Sequence, residues 1–205
     1  MNKKIIIGGA VGILVVGVAL GFMLRKPQTQ VVVEEPKKEE VQKVEEKSEG
    51  YNGQLEYAEG TVEKRMNEAE GWRAAEKGDV FGSGAEVRTL AAAKAVITFE
   101  DGSLARLDEN TQIKINTSKD SIALEMPSGA VFNKVAKDVS RQYTVTTGEY
   151  NVRALGTIFS VSNAEGASPE LMVLESEVEV KKNNAEKIDV AKTGEKIAMK
   201  KDKTE

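Results

Sequence analysis

The sequence predicts an all-β protein: an antiparallel β-sandwich or β-roll of many short strands, preceded by one transmembrane α-helix and a disordered stalk. Between about residues 51 and 200, apolar residues recur with a period of two rather than 3.6. Turn-forming residues separate these short alternating runs at fairly even spacing, which is typical of antiparallel β folds. A long uncharged run near the start of the chain predicts the helix.

The uncharged run extends over residues 5–24, between Lys3-Lys4 and Arg25-Lys26. At ~1.5 Å per residue a helix of this length reaches about 30 Å, the thickness of the hydrocarbon core of a bilayer. The run is longer than a typical signal-peptide core and has no convincing Ala-x-Ala cleavage site, so a retained anchor is favoured over a cleaved signal. The predicted order is a short tail at residues 1–4 and then a membrane-spanning helix at residues 5–24.

The flanking segments predict neither a side of the membrane nor a packed structure. Positive charges lie on both sides of the helix, so the positive-inside rule leaves the orientation open. Residues 25–50 are rich in Glu, Lys, Val and Gln and contain no aromatic residue, which predicts a charged flexible linker. Residues 201–205 are predicted to be a disordered tail. Glycines at a spacing of four within the helix allow homo-oligomers, although glycine is common in membrane helices.

Residues 51–200 are long enough to form one domain with a single hydrophobic core. The strongest local signal is a hairpin: Ala95–Phe99 alternates, Asp101-Gly102 forms a turn, and Leu104–Leu107 returns. A further turn is predicted at the Pro-Ser-Gly sequence of residues 127–129, between two apolar runs.

Composition limits the chemistry. The chain has no histidine and no cysteine. This excludes Ser-His-Asp and Cys-His catalytic arrangements, the usual zinc sites and disulfides. The formal net charge of −4 does not indicate a nucleic-acid-binding surface. We therefore predict no enzyme activity, no cofactor, no metal site and no nucleic-acid partner.

Three local features have alternative interpretations. Asp101 and Asp108 are interpreted as turn residues, with a glycosidase carboxylate pair as the minor alternative. The glycine-rich segment 78–84 is interpreted as a turn, because no Lys-Ser/Thr pair follows as in a phosphate-binding loop. Trp72, the only tryptophan, is interpreted as packing against the sheet rather than as a platform for sugars.

An ordered series of short motifs resembles the FecR domain, the extracytoplasmic β-rich module of bacterial cell-surface signalling proteins. The most specific motif is Leu155-Gly156-Thr157-Ile158-Phe159-Ser160-Val161. The other motifs surround Gly-Thr-Val at residue 60, Gly-Trp at residue 71, Asp-Gly-Ser at residue 101 and Thr-Gly-Glu at residue 193. The residues assigned to the fold motif are Gly60, Trp72, Gly78, Asp79, Asp101, Gly102, Gly129, Gly156, Thr157, Phe159 and Gly194.

The resemblance implies a non-catalytic, membrane-anchored binding and signalling module. It implies a single-pass protein of the cell (inner) membrane, with the C-terminal unit outside the cytoplasm and an envelope protein or glycan as its partner. The alternative is a structural scaffold of the cell envelope or a polysaccharide-binding protein. The binding residues stay unassigned at this point.

Two departures from the family pattern stand out. Ser176 occupies a position where the family usually has glycine, which puts the geometry of that turn in question. The regulators that name the family carry a cytoplasmic sigma-binding domain before the membrane helix, whereas only Met1-Asn2-Lys3-Lys4 precedes the apolar run here. The expectation is a module without sigma-binding activity of its own.

Overall fold

Alternating sequence runs become strands throughout the part of the chain that the structure describes. This structure is a computed structural model, and it describes residues 50–138, 140–183, 185 and 188–199. Within these ranges the protein consists of strands, turns and loops with no helix, so the all-β prediction is confirmed there. The predicted tail at residues 1–4, the membrane helix at 5–24, the linker up to residue 49 and the tail at 201–205 lie outside the described residues.

Sixteen strands are found among the described residues. They are β1 (Gly53–Glu59), β2 (Val62–Arg65), β3 (Arg73–Ala74), β4 (Val80–Phe81), β5 (Glu86–Thr89), β6 (Lys94–Phe99), β7 (Leu104–Leu107), β8 (Gln112–Ser118), β9 (Ser121–Lys134), β10 (Gln142–Thr147), β11 (Tyr150–Ala154), β12 (Ile158–Asn163), β13 (Glu170–Glu175), β14 (Glu177–Lys182), β15 (Ile188–Lys192) and β16 (Lys196–Ala198).

The strands form two sheets that share β9. Sheet A has the order β4-β1-β6-β7-β9-β12-β13-β16. Sheet B has the order β3-β2-β5-β8-β9-β10-β11-β14-β15. The first part of β9 pairs in sheet B and its last part pairs in sheet A. Among the described strands, β9 and β10 are the only parallel pair.

The turn predicted at residues 127–129 is wrong, because β9 runs through this segment. Pro127 lacks an N–H, and it lies where the pairing with β8 shifts register between Gln112 and Lys114, so no regular hydrogen bond is lost there. Gly129 follows with φ +99°, a backbone conformation that lets the strand leave one sheet and enter the other. The Pro-Ser-Gly sequence therefore marks a bend within one strand.

The core lies between the inner faces of the two sheets. Tyr143 of sheet B lies between Phe99 and Phe159 of sheet A, at ring-centroid distances of 6.3 and 6.5 Å in edge-to-face geometry. The Tyr143 hydroxyl donates to Asn133 Oδ1 at 2.9 Å, and both side chains are buried. Each such aromatic ring contributes about 1.5–3 kcal/mol by leaving water. Inward residues alternate with outward ones along the central strands, which leaves each sheet with one outer face.

Candidate functional site

The outer face of sheet B carries paired charges across β2, β5 and β8, while Ile188 and Val190 on its edge strand β15 are 49% and 48% exposed. Arg65 on β2 contacts Glu86 on β5 at 2.7 Å, and Gln112 on β8 donates to the same carboxylate group at 2.9 Å. Lys114 pairs with Glu68 at 2.7 Å, and this hydrogen bond lowers the pKa of Glu68 and raises the pKa of Lys114. Cross-strand pairs of opposite charge stabilise a solvated sheet face. The charged part of this face has the composition expected for contact with water.

Trp72 lies at the rim of this charged face. The guanidinium of Arg88 lies 4.2 Å from the centre of the indole ring, and that of Arg65 lies 4.8 Å from it. Arg88 also pairs with Glu63 at 2.6 Å. The indole is half-buried and packs on charged groups that already have partners. Its surroundings fit a packing role.

The outer face of sheet A has a different character. Strand register aligns Tyr57, Val96, Arg106, Phe132, Ser160 and Met172 in one line across β1, β6, β7, β9, β12 and β13. We call these six residues the cross-strand row. Tyr57 and Met172 are 48% and 42% exposed. The Arg106 guanidinium lies 5.1 Å from the centre of the Phe132 ring. Four of the six side chains are therefore apolar or aromatic on a face that solvent reaches.

Further apolar side chains extend this surface beside the row. Leu104 and Ile158 both pair with Lys134 in the adjacent line of residues and are half-buried. Leu174 on β13 is 44% exposed. Because scattered single apolar residues are normal on protein surfaces, the relevant feature is that these ones lie on one face.

An open groove of about 940 Å³ lies at one end of this face. We call it the acidic groove, because it is lined by four carboxylate side chains and one lysine: Glu59, Asp108, Glu109, Glu165 and Lys94. Asn110, Ser128, Gly129 and Ser162 are among its other lining residues.

Two of the groove carboxylates already accept hydrogen bonds. Glu59 accepts from the Tyr57 hydroxyl at 2.8 Å, and this bond raises the pKa of Tyr57. Glu109 accepts from the backbone N–H of Ala92 at 2.7 Å. A smaller cavity of about 240 Å³ shares Asp108 with the groove and is also lined by Phe132. The acidic groove therefore opens directly onto the cross-strand row.

Asp101 lies in a buried polar cluster that is separate from the groove. Its carboxylate accepts from the backbone N–H and the hydroxyl of Ser103, both at 2.7 Å, and forms an ion pair with Arg141. Burial lowers the pKa of the Arg141 guanidinium, which also lies 5.1 Å from the centre of the Tyr51 ring. Asp101 precedes β7 and Asp108 follows it, so a four-residue strand, about 13 Å long at ~3.3 Å per residue, lies between them. A glycosidase pair needs its carboxyl groups within about 10 Å, and the structure does not bring these two together.

Most of the other fold-motif residues lie in turns or in the core. Gly60, Gly78, Gly102 and Gly194 have positive φ and occupy turns, and Phe159 and Thr157 are buried. Asp79 accepts from the backbone N–H of Glu76 at 2.6 Å and pairs with Lys64. A Cβ on Gly156 would overlap Lys137. Of the motif residues, Gly129 is the one that lines the acidic groove.

The residues of the cross-strand row were not predicted from the sequence. One signal was present: Leu171-Met172-Val173-Leu174 is apolar at consecutive positions, so one of its two faces must point away from the core. Phe132 and Val96 give a similar signal on β9 and β6. Their alignment depends on strand order and register, which the sequence does not state.

Comparison with known proteins agrees with the motif series. Residues 85–179 match the family model described as FecR protein, so the resemblance predicted from the motifs is confirmed over that span. No curated protein matches the chain. The described residues include no helix long and apolar enough to cross a membrane.

Two crystal structures are similar to part of the chain. Both are of a protein from Parabacteroides distasonis that is provisionally assigned as an anti-sigma factor. For each, the sequence identity is 23%, the TM-score is 0.49, and the similarity covers 54% of this chain and 52% of that one. The chain thus matches about half the length of these solved proteins.

Proposed function

We propose that this chain is a membrane-anchored, non-catalytic binding and signalling module of the FecR type, whose partner docks on the outer face of sheet A. The observation that carries the proposal is the difference between the two outer faces. Across β2, β5 and β8 the face of sheet B has paired charges, whereas the face of sheet A presents Tyr57, Phe132 and Met172 in one row beside a groove. Contiguous exposed apolar surface with a polar rim is typical of protein interaction sites.

The FecR match supports this class of function. The match over residues 85–179 supports a signalling role. The proposal assigns the described β unit to partner recognition and residues 5–24 to the bilayer, with the β unit outside the cytoplasm. It assigns no sigma-factor contact to the described residues.

Docking on sheet A is tested with two variants of the full chain. Phe132→Glu places a charge in the cross-strand row, and Thr144→Glu places one on the outer face of sheet B as a matched control. Each tagged variant is expressed in the native host, cross-linked in intact cells and purified in mild detergent. We expect Phe132→Glu to lose the cross-linked envelope partner and Thr144→Glu to retain it. Retention by Phe132→Glu, with an unchanged melting temperature, contradicts the proposal.

The membrane placement needs a separate test. Added protease should digest the β unit in intact cells or spheroplasts, while a cytoplasmic marker protein survives. Replacing two residues of the apolar run, Leu14→Lys and Val15→Lys, should release the chain from the membrane fraction, because each buried charge costs about 2.5–3.5 kcal/mol at the centre of a spanning helix. Protection of the β unit in spheroplasts would contradict the proposed orientation.

Polysaccharide binding is the second candidate function. The observation that favours it is the set of amide and hydroxyl side chains in the acidic groove, from Asn110, Ser128 and Ser162, next to an aromatic ring. Such groups hydrogen-bond sugar hydroxyls. This candidate predicts saturable binding of host envelope polysaccharide. If the Phe132 ring contacts the sugar, Phe132→Glu weakens this binding; if it does not, the binding is unchanged.

A further inference from the structure

We infer that the partner segment docking on sheet A is a polypeptide that carries a lysine or arginine beside apolar side chains, with the cation in the acidic groove and the apolar groups on the cross-strand row. This inference rests on the proposed function and specifies the chemistry of the partner. It follows from the continuity of the two surfaces, their charge and their dimensions.

The two surfaces form one continuous site. Asp108, Ala130 and Ser162 line both the acidic groove and the smaller cavity that reaches Phe132. Tyr57 lies at one end of the row and its hydroxyl donates to Glu59 in the groove at 2.8 Å. A ligand that fills the groove can therefore extend directly onto the row.

Charge selects the kind of group that enters the groove. Four carboxylates and one lysine give it a formal charge of about −3 at neutral pH. A cation entering this cleft gains electrostatic complementarity, while a carboxylate or phosphate is repelled. The groove therefore favours lysine or arginine and disfavours anionic polymers.

The row favours a polypeptide over a sugar. Sugars stack on open aromatic faces, and the Phe132 ring already has the Arg106 guanidinium 5.1 Å from its centre. Val96 and Met172 offer aliphatic and thioether surface, which suits apolar side chains. Six strands at ~4.8 Å spacing make the row about 24 Å long, the reach of roughly seven residues of extended chain.

The test measures fluorescence anisotropy of three labelled octapeptides with the full chain in neutral detergent: alternating Lys-Leu, alternating Glu-Leu and alternating Lys-Ser. We expect Lys-Leu to bind at least tenfold more tightly than either of the others. If the Glu-Leu peptide binds as tightly as Lys-Leu, the groove does not select for positive charge. If the Lys-Ser peptide binds as tightly as Lys-Leu, the cross-strand row does not contribute to binding through apolar side chains.

Two charge-matched variants separate the groove from the general acidity of the chain. Asp108→Asn with Glu165→Gln removes two groove carboxylates, whereas Glu125→Gln with Glu177→Gln removes two from strands of sheet B. We expect Lys-Leu affinity to fall at least fivefold in the groove variant and less than twofold in the control. Equal losses in the two variants would overturn the inference.

The inference and the proposed function fail in different ways. If Phe132→Glu abolishes capture of the native partner but the peptides show no preference for Lys-Leu, the docking face stands and the partner chemistry is wrong. If a neutral glucose hexasaccharide competes with Lys-Leu at the same site, the polypeptide assignment is wrong. If Phe132→Glu leaves native capture intact, the docking face itself is wrong.

Discussion

At the scale of single residues, two positions show how side-chain chemistry and backbone geometry constrain this fold. Ser176 adopts φ +68°, the left-handed region that glycine occupies at no steric cost. Although serine stands where the family usually has glycine, the backbone at residue 176 therefore keeps the conformation that glycine adopts. The Ser176 carbonyl accepts from the backbone N–H and the hydroxyl of Thr193, at 2.9 and 3.0 Å, which holds the turn in this conformation.

The first prediction concerns this turn. Ser176→Gly should raise the free energy of unfolding by about 1 kcal/mol, because it relieves the left-handed strain of a residue with a Cβ. Asn110→Gly is the matched control: Asn110 also has positive φ, +53°, but asparagine tolerates that region. Urea unfolding of both variants checks the difference, and an equal effect of the two would contradict the explanation.

The second prediction concerns the buried ion pair. Asp101→Asn should lower the free energy of unfolding by about 3 kcal/mol, because it leaves the Arg141 guanidinium buried at 3% side-chain exposure without its carboxylate. Asp101→Asn combined with Arg141→Met should recover part of that loss, since no buried charge then lacks a partner. A double-mutant cycle in urea measures both effects. A double variant less stable than Asp101→Asn alone would argue against this account.

At the scale of elements, β9 is the strand whose course was least predictable from the sequence. The hairpin of β6 and β7 was predictable, because alternation and an Asp-Gly turn are local properties. The course of β9 through Pro127 was not, because whether a proline ends a strand depends on whether its missing N–H faces a partner. The register shift opposite Pro127 involves β8, and strand register is set by tertiary packing.

The candidate site was less predictable than the fold. The motif residues lie in turns and in the core. The turn positions could be predicted because glycine and aspartate are turn-forming residues. The cross-strand row brings Tyr57 and Met172 into line across six strands. No local pattern encodes a line that crosses strands far apart in sequence.

The third prediction tests the bend in β9. A Cβ at Gly129 would overlap Thr111, and the Thr111 hydroxyl accepts from the backbone N–H of Ala130 at 2.9 Å. Gly129→Ala should therefore lower the free energy of unfolding by more than about 2 kcal/mol. Gly194→Ala, with φ +84° and open space around its Cβ position, should cost only about 1 kcal/mol. Thermal and urea unfolding compare the pair, and similar losses would show that crowding at Thr111 is unimportant.

At the scale of the whole molecule, the proposed function assigns contact with a partner to the outer face of sheet A and contact with water to that of sheet B. On sheet B, Arg65, Arg88, Lys114 and Arg153 form ion pairs within the protein. Sheet A instead presents the cross-strand row and the acidic groove, whose lining includes four carboxylates and one lysine. Surface changes on sheet B should therefore alter solubility more than recognition.

The sharing of β9 has a consequence for how the protein unfolds. A strand that belongs to both sheets cannot leave one sheet without weakening the other, so the sheets are expected to melt in a single cooperative transition. In native-state hydrogen exchange, amides of β9 near Leu124 and near Val131 should open with the same free energy and the same urea dependence. Two distinct exchange classes at these positions would mean that each sheet opens alone. The strand that joins the sheets would thus make sixteen short strands one thermodynamic unit.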